Sequence, residues 1–341
     1  MNISGSAPFG NDYIPHPHPH PRLHTADIGI FKSTILPSFT LHTTLDIAAF
    51  IASKATDRAE IKDWCWPSSQ VINAWWSAIG HQVYYHNISP QTAWSTLSWT
   101  EKVLLTCVTV WGTRLFTRIA SRTITRGKDD PRYDQLKKED PNGFWTSALL
   151  KQYLPEAAFL TLIALPFTVP FRLTSSTLSL DSDVQSVVRA IGVALFGAGF
   201  AMEFMADAQL EMHRQERTDL CKHGVWSIVR HPNYLGDTLV HISFAVLNIA
   251  NNFNPIVLLG PLTNYFFLRF VGGDRQTEAS QETRYRTEDL HKYEQLQSWR
   301  REKNSFWPGL TEVVNPWTWV VLGAGVLGVV AEEGIRGWLT Q

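Results

Sequence analysis

Between Gly224 and Asp237 the chain reads Gly-Val-Trp-Ser-Ile-Val-Arg-His-Pro-Asn-Tyr-Leu-Gly-Asp. Arg230 and His231 carry, or can carry, positive charge. Pro232 is favoured in the first turn of a helix, where the N–H it lacks would have no partner anyway. A helix opening at that point offers free N–H groups and partial positive charge, a setting that suits phosphate. Asn233, Gly236 and Asp237 follow at i, i+3 and i+4 and so share one face. The stretch therefore predicts a polar, anion-ready pocket at the edge of an apolar helix. An Arg-His-Pro that merely ends a loop at a membrane surface would look the same over these residues.

Two more groups could join such a pocket. Glu203, Asp207 and Arg214 lie four and seven residues apart, on one helical stripe; the competing reading is an exposed amphipathic helix end with an ion pair. Arg114, Arg118, Arg122 and Arg126 recur every fourth residue. Most of that stripe marks the cytoplasmic side of a membrane. Arg114 sits inside the apolar stretch, where an arginine is costly and is a functional candidate by default.

The elements that position these residues are read as membrane helices. Charged residues make up 18% of the 341, below the roughly 25% of soluble domains. The fourteen tryptophans fit interfacial belts. The mean hydropathy of −0.11 is pulled down by the polar N-terminus and by the charged segment 272–304. A formal net charge of −1 argues against nucleic acid as a partner, which calls for a basic face. Apolar stretches near spanning length fall at 36–53, 69–86, 101–120, 148–170, 184–206, 237–252, 255–271 and 317–331. The expectation is an all-α integral membrane protein with six to eight transmembrane helices, in one domain over 36–341. Pro155, Pro166 and Pro170 predict a kink or break in 148–170. Residues 1–35 read as a disordered polar lead without a secretory signal; there His16, His18 and His20 alternate with prolines, a pattern of stiff extended chain more than of a metal site. Cys65, Cys107 and Cys221 are far apart and show no metal-ligand spacing, so no metal is expected.

Taken in order, Trp111-Gly112-Thr113-Arg114-Leu115, Arg126 to Tyr133, Asp207-Ala208-Gln209-Leu210, Gly224-Val225-Trp226 and Arg230 to Asp237 resemble the steroid 5-alpha-reductase superfamily, and within it the branch of membrane reductase-like proteins known as DUF1295. The resemblance spans roughly residues 100–310. It implies a multi-helix membrane fold holding NADPH in a cytosol-facing cavity, with the endoplasmic reticulum as the expected membrane. Related reductases contact NADPH through an Asn-x3-Asp-x6-Arg pattern, matched here by Glu203, Asp207 and Arg214, with glutamate in place of the amide. Asn233 and Asp237 match a second amide-and-acid element, with Gly236 between them. Arg230 and His231 suit phosphate, and Tyr234 lies in the same element.

The departures are specific. A Tyr-x-x-Arg element, whose tyrosine helps polarise the substrate carbonyl in the steroid reductases, is matched by Arg114 but carries Trp111 at the tyrosine position. Indole N–H donates a hydrogen bond but does not hand on a proton as a phenol does. Asn73, three residues before Trp76, aligns with a position where the family has an acid. Steroid specificity is not carried over, and Tyr234, Tyr133 and Tyr285 stand as candidate proton donors. The expected activity is NADPH-dependent reduction of a carbon–carbon double bond in a lipophilic substrate drawn from the bilayer, such as a sterol, terpenoid or enone. Two alternatives stay open. One is an S-adenosylmethionine-dependent methyltransferase of the isoprenylcysteine carboxyl type, which shares an Arg-His-Pro-x-Tyr-x-Gly element. The other is a non-catalytic lipid- or cofactor-binding membrane protein.

Overall fold

The computed structural model describes residues 29–173, 180–216, 219–251 and 253–339, with the side chains of residues 131 and 132 excepted. These residues form helices joined by turns, with no strand among them. Five helices are long and apolar enough to cross a membrane: α1 (Phe31–Thr56), α3 (Trp99–Arg126), α5 (Ser182–Glu216), the stretch Pro255–Glu288 and α10 (Pro316–Leu339). The protein is an all-α integral membrane protein. Residue 29 is already helical, so residues 1–28 of the expected polar lead lie outside the described residues, His16, His18 and His20 among them.

The difference between five helices and the six to eight expected has local causes. Residues 62–86 are helical throughout, as α2 (Lys62–Trp75) followed by a π-helical turn and a short helix, but their buried face is polar, with Ser69, Gln70 and Asn73. The 148–170 stretch breaks as its prolines predict, into a π-helical turn, α4 (Leu154–Ile163) and a 3-10 turn at Leu165–Phe167. α6 (Pro232–Ile249) is an inner helix; it buries Asp237, Thr238, His241 and Asn248. His42 and Asp46 do not interrupt α1. His42 Nδ1 lies 3.1 Å from Ser69 Oγ, and Asn73 Nδ2 lies 3.1 Å from His42 Nε2. Asn73, at the position where the family resemblance has an acid, is thus bonded across to α1.

Local sequence sets the key elements. Ser98 and Glu101 form a capping box that starts α3, and Gly127 ends it in the left-handed region at φ 68°. Pro232 opens α6 at its first position. α5 and α6 pack along much of their length, and they cross at two glycines. A Cβ on Gly236 would lie 2.6 Å from Gly199 O and 2.8 Å from Glu203 N; a Cβ on Gly199 would lie 2.6 Å from Gly236 O. Only glycine allows so close a backbone approach, which is a common device where helices meet in lipid. α10 packs on α5 in the same manner, with Gly325 against Ala194 O. At the far end of that pair Arg189 Nε donates to Glu332 Oε1 at 3.1 Å and Nη2 to Glu333 Oε1 at 3.0 Å, and Trp99 Nε1 also donates to Glu332.

Beyond α7 (Leu259–Phe266) a π-helical turn runs to Val271, and the chain then forms a polar cap of α8 (Asp274–Glu288) and α9 (Leu290–Glu302). The cap is stitched to the start of α6: Arg230 N donates to Asn304 O and His231 N to Ser305 O, each at 3.0 Å.

Candidate functional site

Four helices deliver polar side chains to one buried region. On α3, Trp111 and Arg114 are one turn apart. Trp111 is fully buried and its Nε1–H donates to Asp237 Oδ1 at 3.0 Å. From α7, Asn264 Nδ2 donates to the other oxygen, Oδ2, at 2.9 Å. Asp237 is thus held from both sides. One turn along α6, His241 Nδ1 lies 2.9 Å from Asp237 O, and its ring meets Trp111 edge-on at 4.8 Å between centroids. A carbonyl oxygen only accepts, so Nδ1 carries the proton and Nε2 presents a lone pair.

Arg114 bridges to α5. Its Nη1 donates to Glu203 Oε1 at 2.5 Å, its Nη2 to Glu203 O at 3.1 Å, and Nη2 also pairs with Asp207. Arg118, one turn on, lies 3.8 Å from Asp207 and 3.3 Å from Glu211. The Gly199–Gly236 crossing brings Glu203 within electrostatic reach of Asp237. Trp111, Arg114, Glu203, Asp207 and Asp237, each singled out from the sequence, thus stand in one cluster. Three carboxylates meet there with Arg114 and the fringe of Arg118.

The remaining candidates are placed elsewhere. Arg230 and His231 do not present an open anion site, because the protein supplies the anion itself. Glu278 of α8 takes Arg230 Nε at 2.9 Å, Arg230 Nη2 at 3.1 Å, His231 Nε2 at 3.0 Å and Arg300 Nε at 3.0 Å. Tyr234 belongs to this second cluster; its ring stacks on His231 at 5.4 Å and its hydroxyl lies 3.3 Å from Thr277 Oγ1. Tyr133 donates to Asp63 at 2.9 Å, and Tyr285 sits on the cap between Arg284 and Lys292. Arg214 is exposed, near Arg118, Arg122 and Glu211 and beyond the Arg114 cluster. Gly236 turns its bare Cα to the α5 backbone, so its part is to let the two helices close. Asn233 is half-buried, with Oδ1 lacking a hydrogen-bond partner.

Sequence reasoning passed over His241 and Asn264. His241 was readable at i+4 from Asp237, on the same face. Asn264 was not, because its partner lies on another helix.

Three buried acceptors on residues of this cluster have no partner: Glu203 Oε2, His241 Nε2 and Asn264 Oδ1. Buried polar atoms are rarely left so. Their chemistry fits a ligand that donates hydrogen bonds, such as hydroxyl or carboxamide groups. Replacing Trp111 by phenylalanine keeps the ring against His241 but takes the donor from Asp237. Thermal unfolding in detergent should then show a loss of about 1.5–3 kcal/mol, the range for a hydrogen bond to a charged group. An unchanged melting point would show that the Trp111–Asp237 bond contributes nothing.

Fold and site together define an all-helical integral membrane protein with a hydrogen-bonded ionic cluster among its inner helices. The model of the DUF1295 family, described as a protein of unknown function, matches residues 49–298, and the chain belongs to that family. The matched region contains the whole cluster, from Trp111 to Asn264. No curated protein and no solved structure matches the chain.

Proposed function

We propose that the protein is an NADPH-dependent membrane reductase acting on a carbon–carbon double bond of a lipophilic substrate. The observation that carries this reading is the set of unpartnered buried acceptors gathered around Asp237 and Glu203. Glu203, Asn233 and Asn264 would accept from the carboxamide and ribose hydroxyls. The half-buried Arg118 and the exposed Arg122 and Arg214, which lie near one another, suit the phosphates. Bound NADPH would supply the hydride.

The chain's own residues do the rest. Trp111 spends its N–H on Asp237, so it orients that carboxylate and leaves carbonyl polarisation to another group. His241 stands edge-on to Trp111 with its Nε2 lone pair unpartnered, placed to accept a hydrogen bond from a substrate hydroxyl or from a water that passes its own proton to the substrate carbon. The clustering of Arg118, Arg122 and Arg126 near the end of α3 supports a cofactor side that faces the cytosol, by the positive-inside rule, and the proposed membrane is the endoplasmic reticulum.

One observation favours a second reading. Carboxylates outnumber cations in the cluster, a balance that also suits the sulfonium of S-adenosylmethionine. Thermal shift of the purified protein with NADPH, NADH and S-adenosylmethionine separates the two. Ligand at a hundred times its Kd should stabilise the fold by about 2.7 kcal/mol. NADPH should do so for the wild type, and Asp237→Asn should remove most of that shift. Stabilisation by S-adenosylmethionine alone would overturn the reductase reading.

A further inference from the structure

The three cysteines show no metal-ligand spacing along the sequence, yet the fold assembles a ligand set. We propose that His213, Cys221 and His223 bind one zinc ion at the end of α5. One ligand atom from each lies within 4.8 Å of the others. His213 and Cys221 are buried and His223 is exposed.

The tautomer of His213 is set by its hydrogen bond. Its Nε2 lies 3.0 Å from Asp219 O, and a carbonyl can only accept, so Nε2 bears the proton. Nδ1 is left with its lone pair, buried and without a partner, on a residue only 4% exposed. This is the arrangement of a metal-binding imidazole, whose second nitrogen donates to a backbone carbonyl and so fixes the tautomer and the ring. His213 and His223, with Gln209, Met212 and Glu216, line a cavity of about 340 Å³.

The loop that carries Cys221 and His223 is held without the metal. Leu220 N donates to Gln295 Oε1 at 3.0 Å, Lys222 Nζ to Gln295 O at 3.2 Å, and Val225 N to Gln209 Oε1 at 2.9 Å. Gly224 turns the chain in the left-handed region at φ 65° against the Gln209 side chain. The ligands are thus near their final places before an ion arrives. Zinc with bonds of about 2.0–2.3 Å to nitrogen and sulfur holds its donors roughly 3.3–3.8 Å apart, so three donors within 4.8 Å of one another need only a small adjustment to take the ion. Two imidazoles and a thiolate suit zinc, and the fourth position opens to the cavity, where water or the Glu216 carboxylate completes a tetrahedron. On binding, the thiol proton of Cys221 passes to solvent and no electron is transferred. The ion would staple the loop leading to Arg230 and His231 onto α5. This inference is independent of the reductase reading.

The test uses the full chain in detergent, free of any affinity histidines, with His16, His18, His20 and His24 changed to glutamine to remove the N-terminal background. After chelation the protein is reloaded with zinc or with cobalt and dialysed, and zinc is then measured by elemental mass spectrometry and cobalt by absorbance. One zinc per chain is expected, and cobalt should give a sulfur-to-metal charge-transfer band in the near ultraviolet. That band needs no variant at the site, so it stands even if a variant misfolds. Cys221→Ser should abolish the band, and Cys221→Ser and His213→Gln should each weaken zinc binding at least tenfold. Absence of zinc, a cobalt spectrum without the band, or a band that survives Cys221→Ser would each overturn the proposal.

Discussion

Arg114→Ala should be the most damaging single change in the protein, costing about 3–5 kcal/mol of stability, the usual penalty for removing one partner of a buried ion pair. Arg114 is 13% exposed and Glu203 5% at the side chain, and Arg114 also holds Asp207. Removing it leaves Glu203 between Asp207 and Asp237 without its guanidinium partner. Denaturation in detergent, followed by loss of the monodisperse species, measures the effect. The diagnostic variant is the triple change Arg114→Ala, Glu203→Gln, Asp207→Asn. It should recover most of the stability, because no stranded charge remains, and it should not recover NADPH-dependent stabilisation. If Arg114→Ala alone melts like the wild type, Arg114 is not the counter-ion that holds α3 to α5.

The second large effect is steric. Gly236→Ala should cost about 1–3 kcal/mol, the range for overpacking a tight contact, and Gly236→Val more. Their Cβ would meet Gly199 O at 2.6 Å and Glu203 N at 2.8 Å, backbone atoms that move only with the helix. α6 would therefore be pushed off α5, drawing Asp237 away from Trp111 and Glu203 away from its place beside Asp237. Stability and cofactor response should fall together. Gly199→Ala, which meets Gly236 O from the other side, should reproduce both losses. A Gly236→Ala protein with wild-type melting would show that the crossing relaxes without cost.

Much of this arrangement was legible in the sequence where a residue broke its local rule. Arg114 stood inside an apolar run, Glu203 and Asp207 stood on one stripe at the end of another, and Asp237 stood one turn inside a proline-started helix. Each needed a partner, and the residues that needed partners supplied them to one another. The break in 148–170 followed from its prolines. What could not be read was which helix faces which. Asn264 lies in Leu-Gly-Pro-Leu-Thr-Asn-Tyr-Phe, a segment that looks like ordinary membrane helix until α6 is set beside it. Glu278 lies in the charged run 272–304, where most charges read as solvated; its burial against Arg230, His231 and Arg300 depends on how the cap folds back. Arg230 and His231 read as an open phosphate site; local sequence does not reveal that the protein's own Glu278 carboxylate sits on that pair. The zinc ligands escaped notice because seven residues separate His213 from Cys221, with no repeating spacing.

The Arg189–Glu332 contact at the far end of α5 and α10 bears on how the chain is made. α10 is synthesised well after α5, and it carries Glu332 and Glu333, while Arg189 waits on the earlier helix. An unpaired charge at the centre of an inserting helix costs about 2.5–3.5 kcal/mol; nearer its end the cost is smaller but of the same sign. α10 is thus eased into the bilayer by a helix already there, and its arrival relieves that helix in turn. A chain ending before Pro316 would keep Trp111, Arg114, Glu203, Asp207 and Asp237, and would still expose Arg189 without its carboxylates. Loss of α10 is therefore expected to be read as incomplete assembly by the machinery that clears unfinished membrane proteins, well before the missing residues could be felt as lost chemistry.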